Sequence, residues 1–156
     1  MWQQDLDDFL NTDEVEKYER EGLGTTYLVY WRGSLVAYFT VCFDGLRVEY
    51  LKTWKSMSRL AEMRLETIPA LKIGRLAVDS RFHHRRVGQH LVNYIAGMAL
   101  EARETMAVRL LILQAEPDSK VFYERLGFEY TFLTGRERGR EKRTMFLDLQ
   151  AIEGVG

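Results

Sequence analysis

The densest chemistry in the chain lies in one stretch, Gly74-Arg75-Leu76-Ala77-Val78-Asp79-Ser80-Arg81-Phe82-His83-His84-Arg85-Arg86-Val87-Gly88-Gln89. An apolar strand runs into a tight cationic loop that opens directly into a helix. A helix N-terminus carries N–H groups without intrahelical acceptors and about half a positive charge, so the junction suits an anion, with phosphate the natural guest. Arg81, Arg85 and Arg86, together with all three histidines of the chain (His83, His84 and His90), strengthen that bias. A solvated basic turn at a helix start is the competing reading, because surface charge runs are common. A metal site is not expected: His83 and His84 are neighbours in a loop, His90 sits in the helix, and no second cysteine completes a tetrahedral set. Cys42 lies in an apolar strand with no histidine near it in sequence, which marks it as a small buried residue rather than a nucleophile. Glu49, Glu66 and Glu116 are the candidates for a general base, each also readable as a surface carboxylate.

Around this stretch the pattern places the elements that must hold it. Residues 5–21 are polar with apolar points at Leu6, Phe9, Leu10, Val15 and Tyr18, as in one or two surface helices ending at Gly22 and serving as a lid. Thr25 to Trp31 and Ser34 to Phe43 are rich in β-branched and aromatic residues and flank Arg32-Gly33, which predicts a hairpin. Asp44-Gly45 reads as a type I′ turn into a third antiparallel strand, Leu46 to Tyr50. Leu51 to Thr67 is ambiguous, with Leu60, Met63 and Leu65 hinting at a helix. Leu71 to Val78 predicts a strand, Asp79 to Val87 a loop, and Gly88 to about Thr105 a helix with Leu91, Ile95, Met98, Ala99 and Ala102 on one face. Val108 to Leu113 is almost continuously apolar, so strand, helix and strand form a crossover unit that pairs in parallel. Pro117-Asp118-Ser119 starts a short helix capped by Gly127, and Phe128 to Phe132 and Thr144 to Leu149 close the chain as a hairpin around the loop 134–143. The result is an α/β (α+β) architecture, a mixed sheet with helices on both faces.

Composition narrows the function classes. The 156 residues are 46% hydrophobic and 29% charged, which suits a single domain over 1–156 with one core. Twenty-two basic against twenty-three acidic residues give a net charge of −1, which weighs against a globally basic nucleic-acid binder. One cysteine excludes an intrachain disulfide, and Met1-Trp2-Gln3-Gln4-Asp5 lacks the order of a secretory signal, so a cytoplasmic location is expected. Leu35 to Phe43, the most apolar run, has nine residues where a membrane span needs about twenty, so no membrane partner is expected.

The order Leu-Ala-Val-Asp-x-x-Phe (Leu76 to Phe82), a six-residue loop ending in glycine, a helix, a buried strand and then Val121-Phe122-Tyr123-Glu124-Arg125-Leu126-Gly127-Phe128 resembles the GNAT superfamily of acetyl-CoA-dependent N-acetyltransferases over about residues 25–149. The family's pyrophosphate loop, Gln/Arg-x-x-Gly-x-Gly/Ala, aligns with His83-His84-Arg85-Arg86-Val87-Gly88. Gly88 matches strictly, His83 replaces the first polar residue, and Arg86 stands where the family has its first glycine, which lets the backbone approach the pyrophosphate. A second register, Arg85 to His90, matches the first arginine and the glycine but ends in His90; the first keeps the loop length from Val78.

The resemblance implies a GNAT-like, mostly antiparallel twisted sheet of about six to seven strands with a central parallel pair. It implies that the main chain of Leu76, Ala77 and Val78 pairs with the pantetheine arm of acetyl-CoA. It gives the diphosphate to His83, His84, Arg85, Arg86, Val87, Gly88 and Gln89, with no metal. Tyr123, matching the family's Phe-Tyr tyrosine, becomes the general acid to the leaving thiolate. The reaction is direct attack of a primary amine, with backbone N–H groups near Val78 stabilising the oxyanion.

A further similarity, through Leu6-Asp7-Asp8-Phe9-Leu10, Gly24-Thr25-Thr26-Tyr27, Gly74 to Asp79 and Phe122-Tyr123, is to GNAT toxins that acetylate aminoacyl-tRNA. Two basic clusters suit a tRNA backbone: Lys52, Lys55, Arg59 and Arg64, and Arg136 to Arg143, with five basic residues against two acidic. The net charge favours a small-molecule or peptide amine over tRNA. A CoA-binding module without catalysis is the third reading, suggested by Arg86. Dimers are frequent in the family, so a homodimer is an expectation, with Trp31 or Trp54 as exposed aromatics at its interface.

Overall fold

The computed structural model describes residues 13–132 and 142–153. In chain order these form helix α1 (Glu14–Arg20), strands β1 (Thr25–Trp31) and β2 (Ser34–Arg47), a 3₁₀ turn (Val48–Leu51) and a short helix α2 (Met57–Leu60). There follow β3 (Thr67–Val78), a 3₁₀ turn (Ser80–Arg85), the long helix α3 (Val87–Ala102), β4 (Leu110–Ala115), α4 (Lys120–Arg125), β5 (Glu129–Tyr130), β6 (Arg143–Asp148) and α5 (Leu149–Glu153). The six strands make one mixed, mostly antiparallel sheet in the order β1-β2-β3-β4-β6-β5, with β3 and β4 the parallel pair across the α3 crossover. Contacts group the chain into two units, Met1–Cys42 with Ile73–Met98 and Phe43–Lys72 with Ala99–Gly156.

In the first unit, Val36 to Val41 is buried at every position, so β2 reads as a continuous apolar run instead of an alternating one. Tyr38 and Ala77 form a core pair with Val15 packed on it, and Phe39 stacks on Tyr27 with ring centroids 5.0 Å apart. The hairpin turn is Arg32-Gly33, whose φ values of 49° and 81° are both positive, as a type I′ turn requires. Asp44-Gly45, the dipeptide with the stronger turn signal, is not a turn: β2 runs straight through it to Arg47. Tertiary packing overrides the local preference there. Leu46 is buried in the second unit's core, a Cβ on Gly45 would meet Thr67 Cβ at 3.4 Å, and the Val48 N–H donates to the Glu66 carbonyl at 3.0 Å. The predicted third strand therefore becomes the end of β2 plus a 3₁₀ turn, and the described residues form six strands, within the expected six to seven.

The core of the second unit joins Leu46, Leu51, Trp54, Ile68, Ala70, Leu110, Ile112 and Phe146. Trp54 is 8% exposed, edge-on to Phe146 at 5.9 Å and 4.9 Å from the Arg109 guanidinium, so it is a core residue and not an interface aromatic; Trp31 is 53% exposed. Leu110 to Leu113 is buried throughout, as expected for a strand covered on both faces. The ambiguous segment from Leu51 to Thr67 resolves into short helical pieces, Met57–Leu60 and Ala61–Met63. β3 starts earlier than predicted, at Thr67, and accommodates Pro69, whose carbonyl accepts the Arg109 N–H at 2.9 Å. Cys42 is half-buried, more open than its apolar neighbours suggest. The resemblance residues Leu6 to Leu10 lie outside the described residues, as does the basic loop up to Glu141.

Candidate active site

Strand β3 delivers the first part of the site. Ala77 and Val78 are buried and Leu76 is half-buried. The Asp79 N–H donates to the Val36 carbonyl on β2 at 2.8 Å. Main-chain groups alternate sides along a strand, so Val78 turns its own away from β2. Its carbonyl there is already engaged: His83 Nε2 lies 2.8 Å away and, since a carbonyl only accepts, must carry the proton. The resemblance left that carbonyl open for pantetheine, and the histidine tie is the feature that sequence reasoning missed.

The turn after Val78 is built by Asp79. Its carboxylate accepts the Arg81 backbone N–H at 2.9 Å and the Arg81 side chain through Nε at 3.1 Å and Nη2 at 2.8 Å. The side-chain bond to Arg81, then the backbone one, holds the Asp79 carboxyl below its ordinary range. Arg81 thus spends Nε and Nη2 on Asp79 within the turn, while its side chain stays 72% exposed. Arg81 and Arg85 both sit 5.9 Å from the Phe82 ring centroid, while Arg85, Arg86 and Gln89 are exposed. The side chain of His84 lies outside the described residues.

Arg86 has φ 55° and ψ 28°, a left-handed conformation that ends the 3₁₀ turn and redirects the chain into α3. The glycine position of the resembling loop therefore needs backbone freedom here as well as close approach, and an arginine occupies it at a cost of about 1–2 kcal/mol. Helix α3 follows at once. Its first backbone bond is His90 N–H to the Arg86 carbonyl at 3.1 Å, which leaves the amides of Val87, Gly88 and Gln89 with no acceptor in the helix. Of these three residues Gly88 is buried, Val87 half-buried and Gln89 exposed. Three amides at the positive end of a 16-residue helix beside two exposed guanidiniums have the chemistry to receive an anion.

Tyr123 lies in the second unit, on α4, and is 6% exposed. Phe122 and Phe128 pack edge-on against it, at centroid distances of 5.0 and 5.6 Å. Gly127, with φ 96°, closes the helix through two bonds, Phe128 N–H to the Tyr123 carbonyl and Gly127 N–H to the Glu124 carbonyl, so the Tyr-x-x-x-Gly-Phe spacing is a capping device. Burial pushes the Tyr123 phenol well above its ordinary pKa, so it keeps its proton at neutral pH. Of the candidate bases, Glu116 pairs with Lys142 at 2.9 Å, Glu49 lies 3.6 Å from Arg47, and Glu66 is exposed at the head of β3. Among the described residues no group of three His, Cys, Asp or Glu side chains is placed to hold a metal, and no helix is long and apolar enough to cross a membrane.

Similar solved structures share this fold across nearly the whole chain. AtaT complexed with acetyl-methionyl-tRNAfMet matches with TM-score 0.80 at 21% identity, covering 98% of this chain and 86% of that one. A tyrosine-to-phenylalanine mutant of KacT matches with TM-score 0.81 at 19% identity, covering 99% and 87%. A tyrosine-to-phenylalanine mutant of AtaT, bound to the C-terminus of the antitoxin AtaR and acetyl-CoA, matches with TM-score 0.73 at 20% identity, covering 98% and 84%. The acetyltransferase (GNAT) domain model matches residues 22–130, and the chain therefore belongs to the GNAT acetyltransferase family.

Proposed function

We propose that this acetyltransferase moves the acetyl group of acetyl-CoA to a primary amine by direct attack. The observation that carries the reading is the start of α3, where the amides of Val87, Gly88 and Gln89 and the exposed Arg85 and Arg86 suit a diphosphate. Bound acetyl-CoA supplies an activated thioester. In this reading the β3 main chain at Leu76 to Val78 aligns the pantetheine arm, with His83 giving up or sharing the Val78 carbonyl. The Val78 amide donates to the developing oxyanion. As the amine nitrogen bonds to the acetyl carbon and the C–S bond breaks, Tyr123 passes its phenolic proton to the departing sulfur, and the amine sheds a proton to solvent. Burial keeps the phenol protonated in the neutral range, so a proton is present to give, but it also makes the phenol a weaker acid; after the transfer the phenolate regains a proton from solvent. Thiol release from acetyl-CoA over a panel of amines tests the reading: amine-dependent release is expected, and binding without turnover of any amine returns the chain to a CoA-binding module.

The comparison with AtaT in complex with acetyl-methionyl-tRNAfMet favours a second, narrower reading, in which the amine is that of an aminoacyl-tRNA. Exposed Lys52, Lys55 and Arg59 on the segment before β3, with Arg64 beyond them, supply cations for a phosphate backbone. This reading expects that expression halts growth and that Tyr123→Phe relieves the arrest. A harmless wild type with activity on free amines contradicts it and leaves the broader reading in place.

A further inference from the structure

The turn from Val78 to Arg86 delivers the chain from β3 into α3 and so sets where the amides of Val87, Gly88 and Gln89 point. It ends on a strained residue, since Arg86 holds φ 55° and ψ 28°. A side chain in the left-handed region persists only where its surroundings over-determine the backbone. Asp79 does this for the first half of the turn. Its N–H donates to the Val36 carbonyl at 2.8 Å, its carbonyl accepts the Phe82 N–H at 2.9 Å, and its carboxylate accepts the Arg81 N–H. From the second half His83 reaches back to the strand, its Nε2 lying 2.8 Å from the carbonyl of Val78, the last residue of β3.

That bond decides what the imidazole can do. A neutral imidazole carries one N–H, and here the Val78 carbonyl takes it, so the neutral ring has no donor to offer a phosphate oxygen. A carbonyl oxygen has two lone pairs, so Val78 can accept an N–H of the pantetheine arm beside the histidine without losing it. His83 is exposed, so its bond pins the turn without filling a core. Its backbone stands just before Arg86, whose carbonyl accepts the first helical N–H, from His90, at 3.1 Å. The direction in which α3 starts therefore follows from where His83 is held.

We propose that His83 is a positioning residue: by tying the turn to Val78 it presets the α3 amides for the diphosphate of acetyl-CoA, and it keeps that tie when the cofactor is bound. The proposal rests on the acetyl-transfer reading for the identity of the ligand. A preset turn lowers the ordering cost of binding, so the effect falls on cofactor affinity and not on the chemical step.

The test compares the wild-type chain with His83→Ala, which removes the donor, and with His83→Gln, whose side-chain amide can donate to the same carbonyl. Calorimetry measures coenzyme A, and titrations of the ¹⁵N-labelled chain measure ADP, which carries the diphosphate without the arm, and pantetheine, which carries the arm without the diphosphate. His83→Ala weakens coenzyme A and ADP about three- to tenfold, the range of one net hydrogen bond, and leaves pantetheine within about twofold. In turnover it raises KM for acetyl-CoA by the same factor and holds kcat within about twofold. In the free chain it speeds amide hydrogen exchange at Phe82 and His90, and His83→Gln restores both exchange and affinity. Unchanged coenzyme A affinity in His83→Ala overturns the proposal, as does weaker binding with unaltered exchange, which marks direct contact with the phosphate. Tighter pantetheine binding overturns it too, because the histidine then competes for Val78. A wild type that binds no coenzyme A refutes the acetyl-transfer reading and the proposal with it, whereas equal coenzyme A binding by wild type and His83→Ala refutes the proposal alone.

Discussion

Replacing Arg86 by glycine and by alanine separates backbone from charge at the turn before α3. Arg86 holds φ 55°, where a side chain costs about 1–2 kcal/mol relative to glycine. Glycine also loosens the unfolded chain, which offsets about 0.4–1 kcal/mol of that gain. The net for Arg86→Gly is about 0–1.6 kcal/mol of added stability, centred near 0.8. For a chain of this length, 1 kcal/mol is worth about 2–4 °C, so Tm should rise by about 2–3 °C and by no more than about 6 °C. Arg86→Ala loses the same charge but keeps a Cβ in the left-handed region, so its Tm should not rise. Both variants remove one exposed cation and should bind acetyl-CoA about two- to fivefold more weakly, with glycine the less affected because its backbone approaches the diphosphate more closely. Thermal unfolding of the free proteins with calorimetric titration of acetyl-CoA reads both quantities. If the two variants shift Tm by the same amount, the left-handed strain assigned to Arg86 is refuted.

Tyr123→Phe keeps the edge-on packing on Phe122 and Phe128, so Tm and acetyl-CoA affinity should hold while kcat falls about 10²-fold or more; an unchanged kcat removes the tyrosine from the acid role. The same phenol gives a pH signature. The folded state retains a proton that the unfolded state loses near pH 10, so stability should fall as pH rises past about 10, and less steeply in Tyr123→Phe by urea unfolding. At the acid end the sign is opposite. Asp79 is held below its ordinary pKa, so it contributes stability above about pH 4 that is lost as pH falls through the lowered value; Asp79→Asn should flatten that limb, and parallel acid-unfolding curves would count against the Arg81 bonds. Gly127→Ala puts a Cβ at φ 96° and 3.4 Å from Leu147 Cδ1, and should lower Tm by about 2–8 °C for a cost of about 1–2 kcal/mol.

Much of this molecule was legible because local and tertiary signals agree. The continuous apolar run Val108 to Leu113 gave the central parallel strand, and Gly22 and Gly127 both close helices with positive φ, as their positions after amphipathic runs indicated. Asp44-Gly45 misled because turn propensity is worth less than burying Leu46 and packing Gly45 against Thr67. Trp54 misled because its apolar partners, Leu51, Ile68 and Phe146, are scattered along the chain and leave no local period. Within the site, the cationic loop and helix start were readable from residue types. The Asp79–Arg81 fork and the His83 tie to Val78 were not, since they depend on how a six-residue turn folds back on its own strand. An aspartate two residues before an arginine at a strand end was the one available hint of the fork.

A crystal structure of the full chain with acetyl-CoA tests the central claim most directly. The diphosphate oxygens should lie about 2.7–3.2 Å from the amides of Val87, Gly88 and Gln89, with the arm running along Leu76 to Val78. A bound cofactor whose diphosphate contacts none of those three amides would contradict it.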